Sequence, residues 1–177
     1  MVFRSMIETV RRLSKPVIAA VNGYCIGGGN ELHVACDLSI ASEKAKFGQA
    51  GPRVGSIPVM GATQVMPMLV GEKRAKEIIF LCRTYTAEQA EKMGWINKVV
   101  PHEQLLPETE QWCLELLAMS PTSLAVSKKS INFYSNLAVQ NMEANIEGLA
   151  LYWGTEESKE GFAAFKEKRK AEFKKYL

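Results

Sequence analysis

Three consecutive glycines, Gly27-Gly28-Gly29, with Glu31 two residues beyond them, are the residues of this chain best suited to chemistry. Glycine frees the backbone to take positive φ and lets a ligand approach main-chain amides with no Cβ in the way. Amides at the start of a helix point outward with partial positive charge, so they can hold an oxygen that is gaining negative charge. A carboxylate three residues after Gly28 would stand beside that oxygen as acid or base. No Gly-Lys-Ser/Thr follows, which excludes a phosphate loop, and the glycine spacing is not that of the dinucleotide fingerprint. A glycine triplet alone serves a plain tight turn equally well.

The flanking segments must place those residues at the end of a strand and the beginning of a helix. Residues 15–22 form an apolar, β-branched run bounded by Pro16 and Gly23, the pattern of a buried strand, and 31–36 suit a short helix. Residues 38–41 predict another buried strand, 43–46 a turn, 47–49 a further strand and 50–56 a loop rich in glycine and proline. Strand, turn and strand with glycine at each turn predict stacked ββα units. Helices are expected over 61–70, closed by Gly71, and over 72–81. Thr86 is a candidate N-cap for a helix stopped by Gly94, with Glu88 and Gln89 in its first turn. An edge strand follows over 95–100. Helices over 107–119, 121–134, 137–154 and 155–175 complete the chain, with proline opening the first two. The division is a β/α unit over 1–100 and a helical unit over 101–177.

The residues named so far, read together, closely resemble the signature of the crotonase (enoyl-CoA hydratase/isomerase) superfamily. The likeness runs from Lys15-Pro16 through Gly27-Gly28-Gly29-Asn30-Glu31-Leu32, Cys36-Asp37 and Phe47-Gly48-Gln49. It continues through Gly55-Ser56-Ile57-Pro58, Gly61-Ala62-Thr63-Gln64, Ala87 to Gly94, and Phe165 to Lys170. It implies an α/β fold, the C-terminal part of a crotonase-type ββα spiral followed by an all-helical oligomerisation region. It also implies an acyl-CoA substrate whose thioester enolate is stabilised by two main-chain amides. By position Gly28 matches the second of those donors, and Glu31 one of the two glutamates that handle water in the hydratases. Ile26, Gly27, Gln49, Gly51, Ser56 and Pro58 are implied to line the substrate site. Phe165 and Lys168 are implied to contact the coenzyme A portion. Coenzyme A enters as part of the substrate, and no covalently bound cofactor or metal is expected. Homo-trimers or hexamers come with the resemblance, while a cytoplasmic location is expected from cysteines that suggest no disulfide framework. Crotonase relatives are longer at the N-terminus, where their first oxyanion donor lies.

The chain departs from the hydratase pattern at Gly51, where the second glutamate would stand. That loop is closer to dihydroxynaphthoyl-CoA synthases and to hydrolases that open oxo-cyclohexane or oxo-cyclohexene carbonyl-CoA rings. The synthases carry an aspartate where this chain has Pro58 and lack a glutamate at position 31. The ring-opening hydrolases are therefore the nearer pattern. A synthase-like lyase and a non-catalytic crotonase-like assembly subunit are the alternatives.

Other polar residues read as structural. His33 is about 200° round a helix from Glu31 and faces away. His102 follows Pro101 in an exposed turn, Asp37 suits a hydrogen-bonding role ahead of a strand, and Tyr85 suits packing. With 47% hydrophobic and 23% charged residues, the 177-residue chain has the composition of a globular domain with a real core. Cys25, Cys36, Cys82 and Cys113 form no CxxC pair and suggest neither zinc nor a disulfide framework. No apolar stretch reaches the roughly 20 residues that cross a bilayer. The net charge of +3 does not imply nucleic acid, although Lys166, Lys168, Arg169, Lys170, Lys174 and Lys175 concentrate at the C-terminus. Such a run reads as a solvated helix face, or as a patch attracting coenzyme A phosphates. Near the N-terminus, Phe3, Met6, Ile7, Val10 and Leu13 recur at helical spacing, predicting a surface helix in preference to a transit peptide.

Overall fold

The computed structural model describes residues 2–177. Six short strands form two three-stranded sheets: β1 (Ile18–Val21), β3 (Leu38–Ser42) and β6 (Lys98–Val100) in one, and β2 (Tyr24–Ile26), β4 (Lys46–Gly48) and β5 (Thr84–Thr86) in the other. β1 to β4 alternate between the two sheets along the chain, β5 stays in the second beside β4, and β6 returns to the first. Two strands and a helix make one turn of a spiral, and equivalent strands of successive turns lie side by side. β3 pairs parallel with β1 (Ile18↔Leu38) and with β6 (Ile40↔Lys98). β4 pairs parallel with β2 (Cys25↔Phe47) and antiparallel with β5 (Phe47↔Tyr85). β1 is the apolar strand expected, but it is not buried as expected: Ile18, Ala19 and Val21 are half-buried and Ala20 is exposed.

α1 (Val2–Arg12) precedes β1, and between the strands come α2 (Gly28–His33), α3 (Ala62–Val70), α4 (Glu72–Leu81) and α5 (Ala87–Lys92). Ile7 is the buried residue of the α1 stripe at 1% exposure, whereas Met6 and Leu13 of the same stripe are exposed. Thr86 caps α5 as expected: its Oγ1 accepts from Gln89 N at 3.2 Å, and Gln89 Oε1 accepts from Thr86 N at 2.9 Å. The main core gathers Phe47, Trp95, Tyr85, Ile78 and Met66, with the Phe47 and Trp95 rings 5.6 Å apart. Trp95 and Ile96, expected in an edge strand, belong to this core ahead of β6.

Beyond residue 100 the regular structure is helix, with α6 (Leu105–Leu117), α7 (Pro121–Gln140), α8 (Met142–Tyr152) and α9 (Glu156–Lys166), while residues 167–172 form no helix. Pro121 occupies the first position of α7 behind the Ser120 cap, but α6 begins two residues before Pro107. The expected helix over 155–175 ends at Lys166. Lys168 takes φ of 56°, the chain doubles back, and Glu160 receives Arg169 Nη1 at 2.6 Å and Glu172 N at 2.9 Å. The C-terminal basic run is therefore split: Lys166 closes α9, Lys168, Arg169 and Lys170 lie in the turn beyond it, and Lys174 and Lys175 lie on a short 3-10 turn, so the run does not form one face of α9.

A buried lysine ties the helical part to the spiral. Lys128 Nζ on α7 donates to Val10 O at 2.9 Å and Lys15 O at 3.0 Å, and pairs with Asp37 Oδ2 at 2.7 Å. Asp37 Oδ2 also accepts from Val17 N at 2.8 Å, the structural role expected for it.

Candidate active site

β2 delivers the chain to Gly27, whose φ of 59° and ψ of −122° turn it into α2. Few residues other than glycine adopt that φ. Gly27 N donates to Gly48 O at 3.2 Å, and Glu31 N closes the first helical turn on Gly27 O at 2.9 Å. The Gly28 and Gly29 amides have no acceptor among the described residues, and both glycines are exposed. The helix-start amides anticipated from the sequence are therefore free, although α2 begins three residues earlier than expected.

Glu31 is 7% exposed on the inner side of α2, and its Oε1 accepts from Met60 N at 2.6 Å. Burial pushes its carboxyl up from the usual 4.5 to about 7, against the opposing pull of the Met60 and Ala62 amides. Loss of hydration penalises the carboxylate more than two amide donors reward it. A carboxyl near 7 can both take and return a proton at neutral pH. The main-chain donors at 60 and 62 have no side-chain signature, so the sequence did not point to them.

The loop after β4 holds the remaining acyl-end candidates. Gln49 is 2% exposed, and its Nε2 reaches Gly27 O at 3.5 Å while its Oε1 has no partner among the described residues. Ile26 Cδ1 lies where a Cβ on Gly48 would meet it at 3.2 Å, so Ile26, Gly27 and Gln49 form one cluster. Gly51, Ser56 and Pro58 form a second, in which Ser56 N donates to Gly51 O at 2.9 Å. A Cβ on Gly51 would stand 2.9 Å from both Pro58 Cδ and Ser56 O. A side chain here would require Pro58 or the Ser56 main chain to shift. The Glu31 contact with Met60 N joins the helix α2 to the end of this loop.

Phe165 and Lys168 lie apart from both clusters. Phe165, 70% exposed, lines a cleft of about 460 Å³ with Pro52, Arg53 and Val54 of the loop and Phe80 of α4. The Arg53 guanidinium donates to Cys82 O at the end of α4. Lys168 sits in the turn beyond α9 and is not among the residues lining that cleft.

His33 is the satisfied structural histidine anticipated from its spacing. It is 4% exposed, Nε2 lies 2.8 Å from Ser39 Oγ, Nδ1 lies 3.4 Å from Asn30 Oδ1, and burial lowers its pKa to about 4. Among the described residues no group of three or more His, Cys, Asp or Glu is placed to hold a metal ion. None of their helices is long and apolar enough to cross a membrane.

Comparison with known proteins places this geometry. The profile of the family described as enoyl-CoA hydratase/isomerase matches residues 2–176. An enoyl-CoA hydratase from Mycobacterium avium subsp. paratuberculosis K-10 is 26% identical and superposes with a TM-score of 0.91, over 97% of this chain and 70% of its own. A carnitinyl-CoA hydratase from Mycobacterium avium is 32% identical with a TM-score of 0.86, over 92% of this chain and 64% of its own. A methylmalonyl-CoA decarboxylase in complex with 2-nitronate-propionyl-CoA is 27% identical with a TM-score of 0.84, over 97% of this chain and 67% of its own. The chain thus spans about two thirds of the length of the structures it matches.

Proposed function

This chain belongs to the enoyl-CoA hydratase/isomerase family, and from that premise we propose that it binds an acyl-CoA thioester and stabilises its enolate at the free Gly28 amide. Glu31 exchanges the proton. The observation that carries the reading is the pairing of an unengaged helix-start amide with a carboxyl that burial raises to about 7, three residues on. A preorganised amide donor of this kind is worth several kcal/mol of barrier. The nitronate analogue held by the methylmalonyl-CoA decarboxylase places anionic oxygens on the acyl part of a CoA thioester. The same charge develops in an enolate.

Within that class we favour ring-opening hydrolysis of an oxo-cyclohexane or oxo-cyclohexene carbonyl-CoA. Glycine at position 51 supplies no second carboxylate there, in a space crowded by Pro58 and Ser56, so we assign both proton transfers to Glu31. In ring opening one group suffices. Glu31 takes a proton from water, the hydroxide adds to the ring carbonyl, and the carbon–carbon bond to the thioester α-carbon breaks. Its electron pair enters the thioester as an enolate held by Gly28, and Glu31 returns the proton to the α-carbon. Water addition across an enoyl double bond needs the same two transfers and remains the second member of the class. Exposed Ile131, Phe133, Leu151 and Trp153 on α7, α8 and the turn after it support a homo-oligomer.

The test is isothermal titration with acetoacetyl-CoA, followed by product analysis on 2-oxocyclohexane carbonyl-CoA and crotonyl-CoA. Binding with turnover of the cyclic substrate is the expected result. Turnover of crotonyl-CoA alone would move the assignment to hydration. Oligomers by light scattering without binding would make the chain an assembly subunit.

A further inference from the structure

Ser158, Gly161 and Phe165 recur three and seven residues apart and therefore share one face of α9. That face rests on the loop after β4. Ser158, 1% exposed, donates from Oγ to Gly55 O at 2.9 Å. A Cβ on Gly161 would stand 2.3 Å from Gly55 N, and one on Gly55, which has φ of +70°, would stand 2.5 Å from Ser158 O. At Gly55 and Gly161 helix and loop touch main chain to main chain, and the Ser158 hydroxyl is the side-chain link beside them. One turn farther along, about 6 Å at the helical rise, Phe165 lines the same cleft as Pro52, Arg53 and Val54.

We infer that Ser158 and Gly161 are positioning residues that set the span between the acyl end and the nucleotide end of a bound CoA thioester. This rests on the acyl-CoA reading above. The loop holds Gly51, Ser56 and Pro58 at the acyl end, and α9 carries Phe165 at the coenzyme end. The contact at 55, 158 and 161 is a direct brace between the two. A helix pushed off the loop would widen the cleft at Phe165 while leaving the Gly28 amide and Glu31 in place, since both belong to α2.

The experiment is isothermal titration of wild-type, Gly161→Ala and Ser158→Ala protein with acetoacetyl-CoA and with acetoacetyl-pantetheine, which lacks the nucleotide. Ser158→Ala removes one hydrogen bond without adding volume, so it serves if the glycine variant does not fold. Each variant should weaken acetoacetyl-CoA about tenfold, the scale of one lost hydrogen bond, and leave acetoacetyl-pantetheine within about twofold. Equal weakening of both compounds, or of neither, would overturn the inference while the acyl-CoA reading stood. A wild-type protein that bound neither compound would overturn both.

Discussion

Replacing Glu31 by glutamine tests the buried carboxyl by two independent routes. The substitution keeps the shape and leaves an oxygen to accept from Met60 N, which now lies 2.6 Å from Oε1. What it removes is ionisation. Burial raises the folded-state pKa from 4.5 to about 7, so the folded protein holds this proton more tightly than the unfolded chain. The stability contributed by protonated Glu31 is complete below the unfolded value, declines as pH rises, and is gone above about 7. Integrated over that window the loss is about 3 kcal/mol. Urea denaturation of both proteins at about pH 4 and about pH 8 reads it directly, because the double difference cancels whatever the substitution itself costs. The expected outcome is a gain for the variant, relative to wild type, of about 3 kcal/mol on going from the lower pH to the higher. A double difference under about 0.5 kcal/mol would refute the argument that desolvation outweighs the two amide donors. Turnover of the thioester substrate should fall by about 10²–10⁴ in the variant, the usual worth of a proton-transferring side chain. The wild-type rate should titrate with an apparent pKa near 7.

Two further substitutions separate fold from chemistry. A Cβ on Gly28 would meet Phe3 Cζ at 3.6 Å, an ordinary contact, so Gly28→Ala should keep thermal stability within about 1 kcal/mol. The methyl beside the free amide should nevertheless cut turnover by about 10²-fold, and an alanine variant as active as wild type would remove Gly28 from the oxyanion role. Gly51→Glu should lose about 1–3 kcal/mol to overpacking against Ser56 O and Pro58 Cδ and create no hydration of crotonyl-CoA. A glutamate variant of unchanged stability that hydrated crotonyl-CoA would contradict the closed geometry.

The spiral was legible where one local cause decides the conformation. The strand at β1 (though not its expected burial), the Thr86 cap with Gln89 three residues on, the opening of α7 at Pro121 and the stop at Gly71 read correctly. β2 and β5 were not legible. Each is three residues long, and Tyr24 in β2 is 87% exposed, so neither shows a period. The end of α9 escaped because it is set by Arg169 and Glu172 N returning to Glu160, a contact across nine to twelve residues that helical spacing does not encode. At the candidate site, glycine triplet and carboxylate were visible as residue types. The forces acting on Glu31 were not, because the burial and the Met60 and Ala62 amides come from the fold. Gly51 read as a missing glutamate, and the structure adds the reason: Pro58 fills the space. Ser158-x-x-Gly161 carried a signal, two small residues at helical spacing, whose meaning appears only once α9 meets Gly55.

The lysine on α7 bears on how far the chain can be divided. Its ammonium group satisfies carbonyls at the end of α1 and just before β1, together with a carboxylate just before β3. With that lysine absent, Asp37 keeps one main-chain donor and no cation, and the Val10 and Lys15 carbonyls lose their shared partner. Stranding a largely buried charge in this way costs about 3–5 kcal/mol, a large share of what holds a small domain together. A cut near residue 100 would therefore sever a covalent link between halves that this buried ion pair also holds together, and the amino-terminal piece would inherit the unpaired Asp37 charge.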